Sequence, residues 1–242
     1  MEIKPYADSE KSKREQVEDM FDNIAPSYDF LNHYFTVGID RIWRRKAIKI
    51  AGENNPDSIL DIAAGTGDFT ILAAKKTNAN KITGIDISQK MLDIAAQKVN
   101  KAKLDSRITL TKADSLNMPF SNDTFDAATV GFGVRNFADI SAGISEIYRV
   151  LKKGGRLVVL ELSEPSTPVV KGLFGFYFHK IMPAAGRLVS KDSSAYSYLP
   201  KSVEHFPYGK PFLEIMQKCG FPDPKLKWLC GGIAAIYWAD KQ

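Results

Sequence analysis

The amino-acid sequence predicts an α/β domain built around a mainly parallel β-sheet. Three observations indicate this fold. Short apolar segments alternate with helical patterns through the middle of the chain, several of these segments are apolar along their whole length, and a glycine-rich turn follows the first of them. Alternating strands and helices favour parallel pairing, and strands that are apolar on both sides fit a sheet covered on both faces. The 242 residues are enough for one such domain with a sizeable core.

The elements follow in chain order from hydrophobic periodicity and turn signals. Two helical segments come first: one includes Val17 to Ile24 and is expected to stop at Pro26, and the other covers about 40–50. Five strands are predicted at 58–62, 81–86, 108–112, 125–132 and 156–161. Helices are predicted between them at 69–77, around 91–99 and at 140–151, and Ser88 has the position of an N-cap.

The last third of the chain departs from this alternation. Residues 164–212 contain six prolines, and nine aromatic residues lie between Phe174 and Phe212, so this segment is interpreted as an insertion over the sheet. A helix at about 211–219 and two strands at 226–230 and 234–239, turning at Gly231 and Gly232, predict a C-terminal antiparallel hairpin. We therefore expect one domain over 1–242 with seven strands. Its parts are an N-terminal helical segment (1–50), a core (56–162), the insertion (164–212) and a C-terminal helix and hairpin (213–242).

Composition and charge exclude several classes of protein. Two cysteines, Cys219 and Cys230, cannot form the framework of a disulfide-rich secreted domain, and no spacing of His, Cys and acidic residues predicts a metal site. The N-terminus lacks a signal-peptide pattern and no apolar run is long enough to span a membrane, so a cytoplasmic location is expected. The net charge of +5 is carried by the chain from Lys171 onward, which indicates either a solvated face or attraction to an anionic surface.

The turn after the first strand, DIAAGTGD at 61–68, is the strongest chemical signal. Gly65 and Gly67 allow a tight turn and close approach of a ligand at the start of a helix. A dinucleotide fingerprint would need a third glycine where Thr70 stands. Asp61 and Asp68 would repel a pyrophosphate but attract a cationic aminoacyl group. These charges favour S-adenosylmethionine as the cofactor.

Two more acidic residues follow the next two strands. Asp86 ends the second strand in GIDIS, where a carboxylate can accept hydrogen bonds from both ribose hydroxyls, although NAD-binding proteins use an acid at the same place. Asp114 follows the third strand, and its carboxylate together with the Ser115 N–H suits the edge of an adenine. Three acids after three consecutive strands are more specific than the glycines, and the alternative is that Asp61 and Asp86 only cap turns and helices.

These segments resemble the successive motifs of class I S-adenosylmethionine-dependent methyltransferases. Further segments resemble, more narrowly, the ubiquinone/menaquinone biosynthesis C-methyltransferase family: FDNIAPSYDFLN (21–32), GFGVRNF (131–137), YRVLKKGGRL (148–157), LELSEP (160–165), YSYLPKSVEHFP (196–207) and CGGIAAIY (230–237). The likeness extends from about residue 15 to the C-terminus.

The resemblance implies a Rossmann-like fold and methylation of a ring carbon on a polyprenylated quinol. The substrate is expected to be 2-demethylmenaquinol, giving menaquinol in the last step of menaquinone biosynthesis. A 2-methoxy-6-polyprenyl-benzoquinol, or another hydrophobic small molecule, is the alternative. The resemblance also places Thr66, Asp86, Asp114 and Ser115 at the cofactor, makes the N-terminal helices a lid, and implies a homodimer.

Three residues are the catalytic candidates. Arg135 follows the fourth strand, where its guanidinium would stabilise a quinol phenolate directly or through a water, unless it pairs with Asp139 or another carboxylate. Asn136 would position a quinol oxygen. Tyr28 would close over the cofactor, and its neighbour Asp29 is a candidate base beside the alternative His205.

The aromatic stretch from Leu173 to Met182, with Lys171, Lys180 and Arg187 at its edges, would line a prenyl tunnel, lie on an anionic membrane or pack on the sheet. Peripheral contact with the inner face of the membrane is therefore expected. No RNA-binding motif or dense basic stripe is present, so nucleic acid is not an expected partner. A non-catalytic quinone carrier or scaffold is the remaining alternative class.

Overall fold

In the computed structural model the described residues are 3–6, 8–36, 38–165, 171–172, 175 and 193–242, with backbone alone at 30–35, 193–194 and 196. The helices within these residues are α1 (Lys13–Phe35), α2 (Asp40–Ala51), α3 (Asp68–Lys76), α4 (Gln89–Lys101), α5 (Ile140–Val150), α6 (Ser193–His205) and α7 (Lys210–Lys218). The strands are β1 (Ser58–Ile62), β2 (Lys81–Asp86), β3 (Ile108–Lys112), β4 (Phe125–Gly131), β5 (Leu151–Leu162), β6 (Lys225–Leu229) and β7 (Ala234–Asp240). A short 3-10 turn, Val134–Asn136, follows β4.

The strands described here form one seven-stranded sheet in the order β3-β2-β1-β4-β5-β7-β6. Strands β1 to β5 pair in parallel, whereas β7 runs antiparallel to both of its neighbours, β5 and β6. This arrangement confirms the predicted α/β fold with a mainly parallel sheet and an antiparallel C-terminal hairpin.

Helices cover both faces of the sheet, as the apolar strands predict. On one face Ile59, Ala127 and Val158 pack with side chains from α2, α3 and α4. On the other face Leu60 and Val159 pack with α5 and α7. These strand residues are fully buried, and burying a side chain of this size contributes about 1.5–3 kcal/mol. The two layers fix the edge of the sheet on which the strand-to-helix loops lie.

Two predicted boundaries are wrong. Helix α1 does not stop at Pro26 but continues to Phe35. The proline removes one helical hydrogen bond, but buried Ile24 and Ala25 and the half-buried Tyr28 pack in one cluster on either side of it, which holds the helix together. The fifth strand begins at Leu151 rather than 156, because the predicted turn at 154–155 is an irregularity within β5 where its register against β4 shifts.

The predicted insertion is described only in part. Helix α6 lies within it, whereas 166–170, 173–174 and 176–192, including most of the aromatic stretch, lie outside the described residues. None of the helices described is both long and apolar enough to cross a bilayer.

Candidate functional site

The strand order reverses between β1 and β4, because β2 lies on one side of this pair and β5 lies on the other. The carboxyl ends of the strands diverge at such a point, and ligands of open α/β sheets bind there. A cavity opens at this edge. The wall of this first cavity includes residues from the ends of β1, β2, β3 and β4.

The glycine-rich turn forms one side of the first cavity. Gly65 has φ +55° and Gly67 has φ +83°, both in the left-handed region that favours glycine. A β-carbon on Gly65 would have only a Tyr28 ring carbon near it, at 3.9 Å, so the backbone here is open to a ligand. A β-carbon on Gly67 would lie 3.0 Å from that of Ala95 on α4. The two glycines therefore serve different ends: one gives ligand access and the other gives close packing.

Asp86 lies on the first cavity at the end of β2. Its carboxylate accepts hydrogen bonds from the Gly65 N–H and the Ser88 N–H, each at 2.8 Å, so it also fixes the glycine turn. Burial raises the pKa of Asp86 to about 6, against the hydrogen bonds that lower it. Each carboxylate oxygen has two acceptor positions, which suits ribose hydroxyls at this place.

Asp114 and Ser115 line the first cavity after β3, as predicted. One oxygen of Asp114 accepts from the Leu116 N–H at 2.9 Å. The other lies 2.6 Å from Nε of Arg14 on α1, which also lines the cavity. No sequence pattern singles out this arginine, which closes the cavity over the residues expected to hold adenine.

Asp61 and Thr66 do not line the first cavity. Asp61 is 1% exposed, within β1 and behind the glycine turn, where the hydroxyls of Thr70 and Thr129 donate to its two oxygens at 2.5 and 2.9 Å. Burial raises the pKa of Asp61 to about 6. Its contacts tie β1 to α3 and β4. The Thr66 hydroxyl points to α1, where it donates to Asp29 at 2.5 Å.

Helix α1 lies across the carboxyl edge of the sheet. Four of its charged residues contact the loops after three strands: Arg14 pairs with Asp114, Glu18 with Lys112, Asp22 accepts from the Ser88 hydroxyl, and Asp29 binds Thr66 and Lys98. The spacing of four, four and seven residues puts these side chains on one face of the helix. This periodicity is visible in the sequence and could have identified the contact face.

A second cavity adjoins the first. The two share Phe21, Tyr28, Phe132 and Asn136 in their walls. Most of the remaining wall is apolar and comes from α1, β5 and α6, with Met20, Ile24, Leu162, Ala195 and Leu199. The polar exceptions are Thr36, Asp40, Arg44 and Arg135. Asp40 and Arg44 were not singled out from the sequence, because the helical pattern of α2 gives no sign that its first turn meets the site.

Arg135 lines the second cavity but not the first. Its guanidinium is 2.8 Å from Glu161, and the side chains of the pair are 8% and 0% exposed. It also donates to the Phe132 carbonyl and to the Ser202 hydroxyl. Asp139, the partner considered from the sequence, instead accepts the N-cap hydrogen bond of α5 from the Ala142 N–H. Arg135 therefore has a structural partner and a place on the cavity at the same time.

Asn136 and Tyr28 lie where the two cavities meet. Oδ1 of Asn136 is buried, and within the described part of the chain it has no hydrogen-bond partner. A buried acceptor without a donor is costly, which suits a site that a ligand hydroxyl completes. The other two candidates lie elsewhere. Asp29 is bound to Lys98 and Thr66, and neither it nor the exposed His205 lines a cavity.

The sequence pattern of the ubiE/COQ5 methyltransferase family matches residues 9–241, which is nearly the whole chain and includes every residue of both cavities. The chain belongs to this family. The predicted class of S-adenosylmethionine-dependent C-methyltransferases is thereby confirmed, and the first cavity fits the cofactor: open backbone at Gly65, a carboxylate after β2 and a second one after β3.

Curated relatives agree over the full length. A demethylmenaquinone methyltransferase of Bacteroides fragilis is 46% identical over 99% of this chain and 97% of its own length. One from Porphyromonas gingivalis is 42% identical over 97% of this chain and 96% of its own. A ubiquinone/menaquinone biosynthesis C-methyltransferase from Geobacter sp. (strain M21) is 45% identical over 98% of this chain and 100% of its own.

Solved structures support the fold. An S-adenosylmethionine-dependent methyltransferase of Thermotoga maritima, a possible histamine N-methyltransferase, has a TM-score of 0.62 at 19% identity and covers 93% of this chain and 100% of its own. A putative S-adenosylmethionine-dependent methyltransferase of Methanococcus maripaludis has a TM-score of 0.59 at 19% identity, covering 98% and 97%. The predicted Rossmann-like fold of this class is thus confirmed.

Proposed function

We propose that this ubiE/COQ5 family member transfers a methyl group from S-adenosylmethionine to a ring carbon of 2-demethylmenaquinol, giving menaquinol in the last step of menaquinone biosynthesis. The observation that carries the proposal is the pair of adjoining cavities. The second is mostly apolar and shares four residues with the first, so a hydrophobic ring in it would lie beside the cofactor. The names of the Bacteroides and Porphyromonas relatives support the naphthoquinol.

The loops of the first cavity would hold the cofactor. S-adenosylmethionine, when bound, supplies an electrophilic methyl group on a positively charged sulfur. Gly65 and Gly67 shape the turn, the Asp86 carboxylate would accept from the ribose hydroxyls, and Asp114 with Ser115 would bind the adenine edge. Thr66 and Asp61 act through other residues: Thr66 ties the turn to α1, and Asp61 holds β1 against β4 and α3.

The quinol needs help to become a carbon nucleophile. Phenols titrate near 10, so ionisation at pH 7 is uphill by about 4 kcal/mol. The guanidinium of Arg135 on the second cavity favours the phenolate, since it stays charged and is sheltered from water. Oδ1 of Asn136 accepts from a ring hydroxyl and orients the ring, and Tyr28 covers the junction of the two cavities. Holding both reactants in line lowers the barrier further.

The test offers labelled S-adenosylmethionine with reduced demethylmenaquinone and, side by side, a reduced 2-methoxy-6-prenyl-benzoquinone. Label in a ring carbon of the naphthoquinol is the expected result. Transfer to the benzoquinol alone would move the enzyme to the ubiquinone branch, a second candidate that the name of the Geobacter relative favours. Cofactor binding without transfer to either quinol would contradict the proposal and leave a carrier or another substrate.

We also propose a cytoplasmic location with peripheral contact at an anionic membrane face. The support is the outer face of α2, which exposes four cations, Arg41, Arg45, Lys46 and Lys49, while the helix's acidic residue, Asp40, is buried. Ile39 and Ile42 at its N-terminal end are 40% and 50% exposed. Because Asp40 and Arg44 of the same helix line the second cavity, this face lies beside the place where a prenyl chain would enter. The homodimer implied by the family resemblance stays a prediction, which light scattering tests.

A further inference from the structure

Asp40 is a buried carboxylate on a mostly apolar cavity. It is the first residue of α2 and is 1% exposed. Its oxygens accept from the Thr36 hydroxyl at 2.8 Å and from Nε of Arg44 at 3.2 Å. A charge is costly next to hydrocarbon even when it is paired. The position therefore calls for an explanation beyond packing.

We propose that Asp40 accepts the proton of the quinol ring hydroxyl, which makes it a catalytic residue of the reaction proposed above and rests on that function. In this step the O–H bond of the ring hydroxyl breaks, an O–H bond forms on the Asp40 carboxylate, and the electron pair stays on the ring oxygen. One proton leaves to solvent for each methyl group transferred, since the methylated ring carbon loses its hydrogen.

The placement of the other acids favours Asp40. Asp29 is bound to Thr66 and Lys98 and lines neither cavity. Glu161 is fully buried behind Arg135 and also lines neither. Asp86 and Asp114 lie on the first cavity. Within the described part of the chain, Asp40 is the acidic residue in the wall of the second cavity.

The charges around Asp40 favour the products of this step. Among the described residues, the charged and titratable groups on the second cavity besides Arg44 are Arg135 after β4, Tyr28 on α1 and Tyr198 on α6, and Arg135 is paired with the buried Glu161 behind it. Arg44 also stacks over the ring of Phe132, at 5.0 Å, which lies on both cavities. When the proton neutralises Asp40, the Arg44 guanidinium loses its anionic partner and can stabilise the ring oxyanion, while Arg135 stays paired with Glu161.

The first experiment compares Asp40→Asn with Asp139→Asn. The control makes the same chemical change at an exposed N-cap that asparagine fills as well as aspartate. We expect kcat of Asp40→Asn to fall by about 10²–10⁴-fold, the range for loss of a general base. Its S-adenosylmethionine affinity should stay at the wild-type value, because Asp40 does not line the first cavity. Its residual rate should rise about tenfold per pH unit from pH 7 to 9 as the quinol ionises unaided.

A merely structural role predicts a different outcome. The amide oxygen can accept from Arg44 while the amide nitrogen donates to the Thr36 hydroxyl oxygen. A helix-starting or ion-pairing role would therefore lower Tm but leave kcat and its pH profile parallel to wild type. Such a result, with kcat within about threefold of wild type, would overturn the proposal. A wild-type enzyme that methylates neither quinol would instead contradict the proposed function.

A second measurement reads contact without turnover. A prenylated 1-naphthol becomes a strong acid in its excited state and passes its proton to a neighbouring carboxylate, so emission from the naphtholate reports that contact. We expect naphtholate emission when the compound binds wild type or Asp139→Asn, and neutral naphthol emission with Asp40→Asn. Equal emission from all three proteins would show that Asp40 does not touch the ring hydroxyl and would overturn the proposal.

Discussion

Asp61 shows how one residue places a charge at the centre of the sheet. It lies between β2 and β4 in the register of the parallel strands, and both of its oxygens are bound by threonine hydroxyls. Burial nevertheless raises its pKa from 3.8 to about 6. The folded protein therefore holds this proton more tightly than the unfolded chain does. The corresponding stabilisation is complete below about pH 4 and is lost as the pH rises through 6.

We predict that Asp61→Asn removes this pH dependence. The free energy of unfolding of the variant, relative to wild type, should rise by about 3 kcal/mol between pH 4 and pH 7, as measured by urea denaturation. Asp126→Asn is the control with the opposite sign, because Lys152 and Ser58 hold the pKa of Asp126 below its usual value. Parallel curves for Asp61→Asn and wild type would show that Asp61 titrates normally in the folded state.

The sequence predicts which residues lie on the first cavity where backbone position alone decides it. Gly65, Asp86, Asp114 and Ser115 all follow strand ends, and parallel strands bring those ends to one edge. The sequence indicates that Asp61 is charged but not which way its side chain points. Side chains alternate across a strand, so a difference of one residue moves a carboxylate from the cavity to the core. Asp40 could not be predicted as a site residue, because the contact of α2 with the second cavity depends on how that helix packs.

At the scale of elements, charged side chains link α1 to the edge of the sheet. The charged face of α1 binds loop residues after β3, β2 and β1. Lys98 on α4 is the centre of the last contact: its ammonium is 2.8 Å from Asp29, 2.5 Å from Asp68 and 3.3 Å from the Thr66 hydroxyl. One cation thus joins α1, α3 and the glycine turn.

We predict that Lys98→Met loosens the C-terminal half of α1. Two carboxylates, Asp29 and Asp68, would face each other without their shared cation. The side chains are partly exposed, so the loss is about 1 kcal/mol, which is roughly fivefold faster amide hydrogen exchange over residues 27–35. Lys101→Met, at the exposed end of the same helix, is the matched control. Unchanged exchange in Lys98→Met would mean that packing alone holds α1 in place.

The boundaries of the elements could be predicted where local sequence decides them and not where tertiary packing does. The strands of the core and the hairpin could be predicted because continuous apolar runs have few alternatives. The end of α1 could not, because local chemistry at Pro26 opposes a helix that only packing against α4 and α6 sustains. Between 166 and 192 the prolines and aromatic residues show no period that predicts helices or strands, and most of these residues lie outside the described part of the chain.

At the scale of the whole molecule, the distribution of charge and exposed apolar side chains favours one orientation of the enzyme relative to a membrane. The excess positive charge of the sequence lies after residue 170, yet the structure shows a second group of cations on the outer face of α2, the helix whose buried Asp40 and Arg44 line the second cavity. A lipid-like substrate and a basic face beside its cavity both favour an anionic bilayer as the surface against which the enzyme works.

We predict that Arg45→Glu/Lys46→Glu weakens binding to phosphatidylglycerol vesicles. Losing two cations near the surface weakens binding by about 2 kcal/mol, or roughly 30-fold in affinity, and the two added carboxylates weaken it further; co-sedimentation at low salt measures the loss. Lys75→Glu/Lys76→Glu makes the same charge change at the exposed end of α3 and should retain binding. Equal losses in both variants would show that net charge, not the face of α2, attracts the membrane. A short-chain quinol in solution should still be methylated by both.

Helix α1 supplies wall residues to both cavities, with Phe21 and Tyr28 common to the two. Because this wall is shared, access to the first cavity and access to the second depend on the same helix. If cofactor and quinol occupy the two cavities as proposed, a displacement of α1 that opened one cavity would open the other as well. Spent cofactor and methylated quinol would then leave in one event, and the frequency of that event would limit how often both reactants are renewed.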